Sequence, residues 1–147
     1  MNEAPAGQEM LDVMGTPTTI RFDPSTVPLL VAEQTFPVGH SSPTLTYEQD
    51  DVLIYMLEGE LTIVDELGDE RMQPGDCVTL RRGEARAYRN DSGTIAKGLI
   101  ISHPGIQAVE FYRNLDRASR AARPDGKALT AGEIDQIAGQ YGVQIQR

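Results

Sequence analysis

Cysteine, histidine and tryptophan are scarce in this chain of 147 residues, which has one cysteine, two histidines and no tryptophan. Because Cys77 is the only cysteine, no intrachain disulfide can form, and a reducing, cytoplasmic compartment is the simplest expectation. Its place in a predicted strand favours a small buried hydrophobic side chain. The two histidines, His40 and His103, lie at predicted strand ends.

Long apolar runs and an excess of basic residues are also missing. No stretch approaches the roughly 20 apolar residues that a transmembrane helix needs. The segment from Met1 to Met14 lacks the basic-then-apolar pattern of a signal peptide, so no membrane partner is expected. Lysine and arginine number 13 against 22 aspartates and glutamates, and the net charge of −9 argues against a nucleic-acid partner.

Turn-forming residues, by contrast, recur from Thr18 onward at intervals of about 8–12 residues, a spacing typical of an all-β sandwich or barrel. Between them, the apolar run Val52 to Leu57 predicts a strand buried on both faces. The segment from Lys97 to Ile101 predicts the strand that closes the barrel. Asp50 and Asp51, with no evident cationic partner, predict an exposed acidic turn.

The pattern changes to helical after Pro104. Apolar residues recur at roughly helical spacing from Ile106 to Leu115, and Thr130 to Glu133 forms a capping-box pattern at the start of a second helix. We therefore expect two C-terminal helices packed outside a β-barrel. The predicted organisation is a flexible tail over residues 1–15 and a single domain over 16–147, with the barrel at about 18–103 and the helical tail at about 105–147.

Two spaced motifs carry a family resemblance. The first is Gly39-(five residues)-Leu45-Thr46-Tyr47-(four residues)-Val52-(six residues)-Gly59. The second begins at Gly75 and ends with Arg86-(three residues)-Asn90. Together they resemble the two motifs of the cupin superfamily, and the helical tail is similar to that of small quercetin-dioxygenase-like cupins. The resemblance implies a jelly-roll β-barrel, often a homodimer, with its site inside the barrel.

The same resemblance places metal ligands at four positions of this chain. The family has His, His and Glu where this chain has Leu45, Tyr47 and Val52, and a second-motif His where it has Arg86. Leucine and valine offer no donor, a tyrosine would have to ionise, and an arginine brings a positive charge. We therefore expect no metal and no other cofactor.

What remains is an apolar pocket with a few polar groups. If the family's strand directions hold, period-two alternation directs seven side chains inward; they are Leu45, Tyr47, Val52, Ile54, Met56, Arg86 and Tyr88. Arg86 needs a partner, which is either an anionic ligand in the pocket or a surface acid at the barrel mouth. Tyr47 and Tyr88 are general acids or core aromatics, and His40 is a substrate contact or a loop residue.

These residues support three hypotheses. The leading one is a metal-independent enzyme that isomerises, cyclises or dehydrates a small hydrophobic molecule, with Arg86, Tyr47 and Tyr88 catalytic and Leu45, Val52, Ile54, Met56 and His40 binding the substrate. The second is a non-catalytic small-molecule-binding or sensor protein. The third is a structural protein whose barrel is filled, which predicts no internal cavity.

Overall fold

The computed structural model describes residues 8–147, in which strands precede two helices and a final strand. The strands are β1 (Glu9–Val13), β2 (Thr16–Phe22), β3 (Leu30–Phe36), β4 (Thr44–Tyr47), β5 (Asp51–Glu58), β6 (Leu61–Asp65), β7 (Gly68–Met72), β8 (Cys77–Leu80), β9 (Ala85–Arg89), β10 (Ala96–His103) and β11 (Val143–Gln146). The helices are α1 (Ile106–Ala122) and α2 (Ala131–Gln140), with a short 3-10 turn at Arg123–Asp125 between them.

Two antiparallel sheets face each other across the core. One has the strand order β1-β2-β3-β10-β5-β8 and the other β11-β4-β9-β6-β7. Side chains alternate between core and solvent along the strands, as in β3, where Leu30, Ala32, Gln34 and Phe36 are buried. The result is a jelly-roll barrel with two C-terminal helices, which confirms the predicted fold class.

The helices cover the barrel with one apolar face each. Phe111, Tyr112 and Leu115 of α1 are buried against the sheets, in agreement with the predicted helical spacing. The second helix begins with the predicted capping box: the Thr130 side chain accepts a hydrogen bond from the Glu133 amide, and the Glu133 carboxylate accepts one from the Thr130 amide.

Several boundaries differ from expectation. The predicted tail of residues 1–15 is ordered from Glu9, because β1 pairs with β2 across a tight turn; residues 1–7 lie outside the described range. Val143–Gln146, expected to follow the last helix as part of a helical tail, instead forms β11 and pairs with β4. The strand predicted at Lys97 to Ile101 to close the barrel corresponds to β10, which lies inside its sheet between β3 and β5.

Three local expectations are wrong. Val52, Ile54 and Met56 are buried, but Tyr55 and Leu57 on the other face are exposed, so β5 is buried on one face only. Cys77 is exposed, because its side chain lies on the solvent face of β8. In the predicted exposed acidic turn, Asp50 is buried.

Gly59, the last position of the first motif, is required by the backbone. It has a φ of 70°, and a Cβ built there would lie 2.4 Å from the carbonyl oxygen of Ile95. Only glycine combines that conformation with that close approach. None of the described helices is long and apolar enough to cross a membrane.

Candidate functional site

A cavity lies inside the barrel, between the two sheets. Its wall combines side chains from β2, β3, β4, β5, β9 and β10 with the β1–β2 turn, the loop after β3 and helix α1. The cavity itself has a volume of about 20 Å³, within a space of about 470 Å³ when its opening to solvent is included. The barrel is therefore neither completely filled nor wide open, and a ligand of several atoms would have to displace side chains.

Arg86 is the only positively charged residue that the described part of the chain contributes to this wall, and it is almost completely buried, with 1% of its surface exposed. Strand β9 holds it opposite Leu45 of β4, and its Cζ lies 4.7 Å from the centre of the Tyr47 ring. Among residues 8–147, nothing accepts a hydrogen bond from its Nε, Nη1 or Nη2. Of the two placements left open by the sequence, the structure thus has the guanidinium inside the barrel, without a protein carboxylate on it.

Three tyrosines surround the same space. Tyr47 lies on β4, Tyr88 on β9 and Tyr112 on α1, and all three are buried. Burial raises the pKa of each phenol, and the positive charge of Arg86 opposes the rise only in part. The three hydroxyls therefore stay protonated near pH 7 and are available as hydrogen-bond donors.

Tyr112 was missed as a site residue. Its spacing in the sequence marks it as part of the apolar face of a helix, and nothing in that pattern shows where the helix packs. In the structure α1 lies across the barrel, so that Phe111 contacts Tyr47 edge-on at 6.2 Å between ring centres and Tyr112 enters the cavity wall.

His40 lies in the loop between β3 and β4, half-buried in the cavity wall. Its ring packs against Phe36, with 5.8 Å between ring centres, and its Nε2 is 3.5 Å from the Thr16 hydroxyl. Burial lowers the pKa of His40 below its usual value of 6.5. The imidazole is therefore neutral at neutral pH.

The structure brings most of the predicted site residues together. Six of the eight line the cavity: His40, Leu45, Tyr47, Val52, Arg86 and Tyr88. Ile54 and Met56 do not, although they are buried on the same face of β5. At about 3.3 Å per residue, Met56 lies roughly 13 Å along the strand from Val52, and packs near Gly98 in the core instead.

The wall also contains residues that the motifs did not single out. They are Val13, Met14, Thr16, Gln34, Phe36, Ser42, Ile100, Ser102 and Tyr112. Most come from strands outside the two motifs, where alternation predicts burial but not proximity to a site. No three or more His, Cys, Asp or Glu residues cluster as a possible metal site anywhere in residues 8–147. The arrangement offers a fixed positive charge, neutral hydroxyl donors and a neutral imidazole in a mainly apolar space, which suits an anion or a developing oxyanion.

Comparison with known proteins supports the fold. Residues 32–102 match the family model described as Cupin domain. The polyketide cyclase RemF from Streptomyces resistomycificus is similar with a TM-score of 0.60 and 19% identity, over 71% of this chain and 79% of that one. A sugar phosphate isomerase from a cupin superfamily, from Silicibacter pomeroyi, has a TM-score of 0.56 and 22% identity, over 60% and 59%. Identities this low show a shared fold and nothing further.

A curated relative matches over a shorter stretch. Endoribonuclease YbeY from Myxococcus xanthus is 39% identical over 85 residues, which are 58% of this chain and 27% of that protein. The chain thus spans about a quarter of that relative's length. The family model, which covers just under half of this chain, agrees with the two sequence motifs: residues 32–102 match a Cupin domain, and the similar solved structures show the same barrel fold.

Proposed function

We propose that this protein is a metal-independent cupin enzyme that catalyses a non-redox step, such as an isomerisation, cyclisation or dehydration, on a small and largely hydrophobic organic molecule. The observation that carries the proposal is the buried guanidinium of Arg86, whose three nitrogens have no acceptor among the described residues. The named activities of two similar folds, a polyketide cyclase and a sugar phosphate isomerase, support this class of reaction. A role in secondary-metabolite biosynthesis belongs to the same proposal.

Energetics favour a ligand partner for Arg86. A buried donor without an acceptor costs about 1–3 kcal/mol, and more when it is charged. Groups that lower the stability of the folded state in this way are typical of functional sites, where they bind a ligand or take part in the reaction. An enolate or carboxylate oxygen in the cavity would accept from the guanidinium, and the neutral phenols beside it would add donors.

The donor chemistry of the wall does not fit a divalent metal ion. The four residues at the family's ligand positions, Leu45, Tyr47, Val52 and Arg86, all line the cavity. Two have no donor atom, the raised pKa of Tyr47 disfavours a phenolate, and the guanidinium would repel a cation. We therefore place the chain among small quercetin-dioxygenase-like cupins in which the metal site has been replaced by an organic one.

The proposal is tested by proton exchange on an enolisable probe. We use β-tetralone, a bicyclic aromatic ketone, in deuterium oxide and follow loss of the protons beside its carbonyl by proton NMR. The wild-type protein is expected to accelerate exchange over buffer. Arg86→Met, which keeps the volume but removes the charge, is expected to lower the protein-catalysed rate at least about 100-fold, the effect of removing an oxyanion donor. Equal rates in the two proteins would refute the role of Arg86.

The same experiment separates the enzyme from a non-catalytic binding or sensor protein. β-Naphthol has the shape of the β-tetralone enol but does not react. A sensor would bind β-naphthol through Arg86, so that Arg86→Met weakens binding, without accelerating exchange of β-tetralone. An enzyme would bind β-naphthol through Arg86 and also accelerate exchange of β-tetralone. A structural protein with an inaccessible cavity would show neither binding nor acceleration.

A further inference from the structure

Enolisation needs a proton acceptor as well as an oxyanion site, and the cavity wall contains few groups that qualify. The guanidinium of Arg86 offers hydrogen-bond donors only and no lone pair that could accept a proton. Tyr47, Tyr88 and Tyr112 also keep their protons near pH 7, because burial raises their pKa. Among residues 8–147, no aspartate or glutamate is part of the wall. His40 is thus the one lining side chain in the described part of the chain that can accept a proton at neutral pH.

The local structure holds His40 at the cavity. Its amide donates to the Pro37 carbonyl at 3.0 Å, and its own carbonyl accepts from the Asn90 amide at 2.8 Å. The Asn90 side chain, fully buried, fastens the start of the same loop by donating to the carbonyls of Phe36 and Pro37. Asn90 is the last residue of the second motif, and its hydrogen bonds fix the backbone of the loop that contains His40.

The imidazole ring of His40 is oriented by contacts with uncharged neighbours. It packs on Phe36, which also packs on Tyr88 at 5.7 Å between ring centres, so His40 and Tyr88 flank one aromatic ring of the same cavity. The Thr16 hydroxyl beside Nε2 can donate to it or accept from it. Neither neighbour carries a charge; the ionisable groups that share the cavity with His40 are Arg86 and Tyr88 on β9, Tyr47 on β4 and Tyr112 on α1.

We propose, resting on the enzymatic function above, that His40 is the catalytic base and proton carrier of this cavity, acting on a hydrophobic carbonyl compound with an acidic C–H next to the carbonyl. The imidazole takes that proton, the C–H electron pair becomes the C=C bond of the enolate, and the carbonyl π pair moves to the oxygen held by Arg86. The protonated imidazole then returns the proton to another carbon of the enolate. Substrate and product are isomers, and no oxidant or reductant is consumed.

The test uses the two histidines of the chain as a matched pair. His103 is exposed at the end of β10 and does not line the cavity, so His103→Gln is the control for His40→Gln. For β-tetralone exchange, His40→Gln is expected to lose at least about 100-fold, as general bases contribute, while His103→Gln keeps the wild-type rate. Binding of β-naphthol to His40→Gln should stay within a few-fold of wild type, which shows that the variant is folded and its cavity intact.

The pH profile gives a second readout that a purely structural role would not change. The wild-type rate is expected to fall with decreasing pH below a midpoint lower than 6.5, because protonated His40 cannot accept a proton. His40→Gln should lack that dependence. Wild-type-like exchange by His40→Gln, or equal losses in both glutamine variants, would overturn the role of His40 and leave the proposed function standing. Absence of exchange by the wild-type protein would overturn both.

Discussion

Arg86 combines a cost to the fold with a use in the site. Its guanidinium lies among apolar and aromatic side chains, with its Cζ 4.7 Å from the centre of the Tyr47 ring. A cation over an aromatic ring contributes about 0.5–2 kcal/mol, which does not replace the hydrogen bonds that the guanidinium loses on leaving water. This balance is the basis of our proposal that Arg86 binds a ligand.

This balance leads to a prediction of opposite effects on stability and activity. Arg86→Met is expected to raise the free energy of unfolding by roughly 1–4 kcal/mol, as when buried ionic groups are replaced by apolar ones of similar volume. The same variant should lose proton exchange. The free energy is measured by urea unfolding followed by circular dichroism.

The control is Leu45→Met, since Leu45 is the cross-strand neighbour of Arg86. A volume-conserving apolar exchange is expected to cost less than about 1.5 kcal/mol. Destabilisation by Arg86→Met would mean that the guanidinium supports the folded barrel, and the argument for a ligand partner would fail.

At the scale of elements, helix α1 is both cover and wall of the site. It contributes Tyr112 to the cavity and packs Phe111 against Tyr47. Its N-terminus is fixed by Asp50, whose Oδ1 accepts a hydrogen bond of 2.7 Å from the Gly105 amide. Burial raises the pKa of Asp50, and the amide hydrogen bond opposes that rise. The buried acid thus connects the β4–β5 loop to the helix that closes the barrel.

Two adjacent aspartates allow this contact to be tested. Asp50→Ala leaves the Gly105 amide buried without its partner, which is expected to cost about 1–3 kcal/mol of unfolding free energy. Asp51→Ala removes an exposed carboxylate that pairs with Arg82 at 3.1 Å, and should have a clearly smaller effect. Both are measured by urea unfolding at pH 7. Equal effects of the two substitutions would show that Asp50 does not anchor α1.

Over the whole molecule, the two sequence motifs supply both backbone positions and cavity side chains. Gly59 lies in a turn with positive φ, and the Asn90 side chain donates to the carbonyl of Phe36. The four positions at which the resemblance places metal ligands line one cavity, where they present apolar groups, a phenol and a guanidinium. The homodimer and the small-molecule partner remain predictions.

Metal removal tests this view on the complete protein. Extended dialysis against EDTA is expected to leave the midpoint of thermal unfolding and the β-tetralone exchange rate unchanged, because the cavity offers no ligand set for a divalent ion. Native mass spectrometry of the same sample reports bound metal, bound organic ligand and subunit number together. A lower unfolding midpoint or a lower exchange rate after dialysis, restored by adding one divalent metal, would contradict metal independence.

The sequence by itself predicted the barrel, the helices and eight site residues, of which six line the cavity. Alternation and spacing are local properties, and they determine which face of a strand is buried and where a chain must turn. They could predict that Thr130 caps the start of a helix, because that depends on a few neighbouring residues, whereas they left open whether Arg86 lies inside the barrel or at its mouth.

The tertiary structure decided which side chains and segments lie close together. It showed that Tyr112 reaches the cavity, that Met56 does not, that Asp50 is buried under α1, and that Glu9–Val13 and Val143–Gln146 are strands. Apart from the hairpin that Glu9–Val13 forms with the adjacent β2, each of these facts depends on contacts between segments far apart in the chain, which no local pattern encodes. The sequence thus determined the scaffold and the types of chemical group inside it. Packing decided which of those groups share one cavity, and left Arg86 there without a protein acceptor among the described residues.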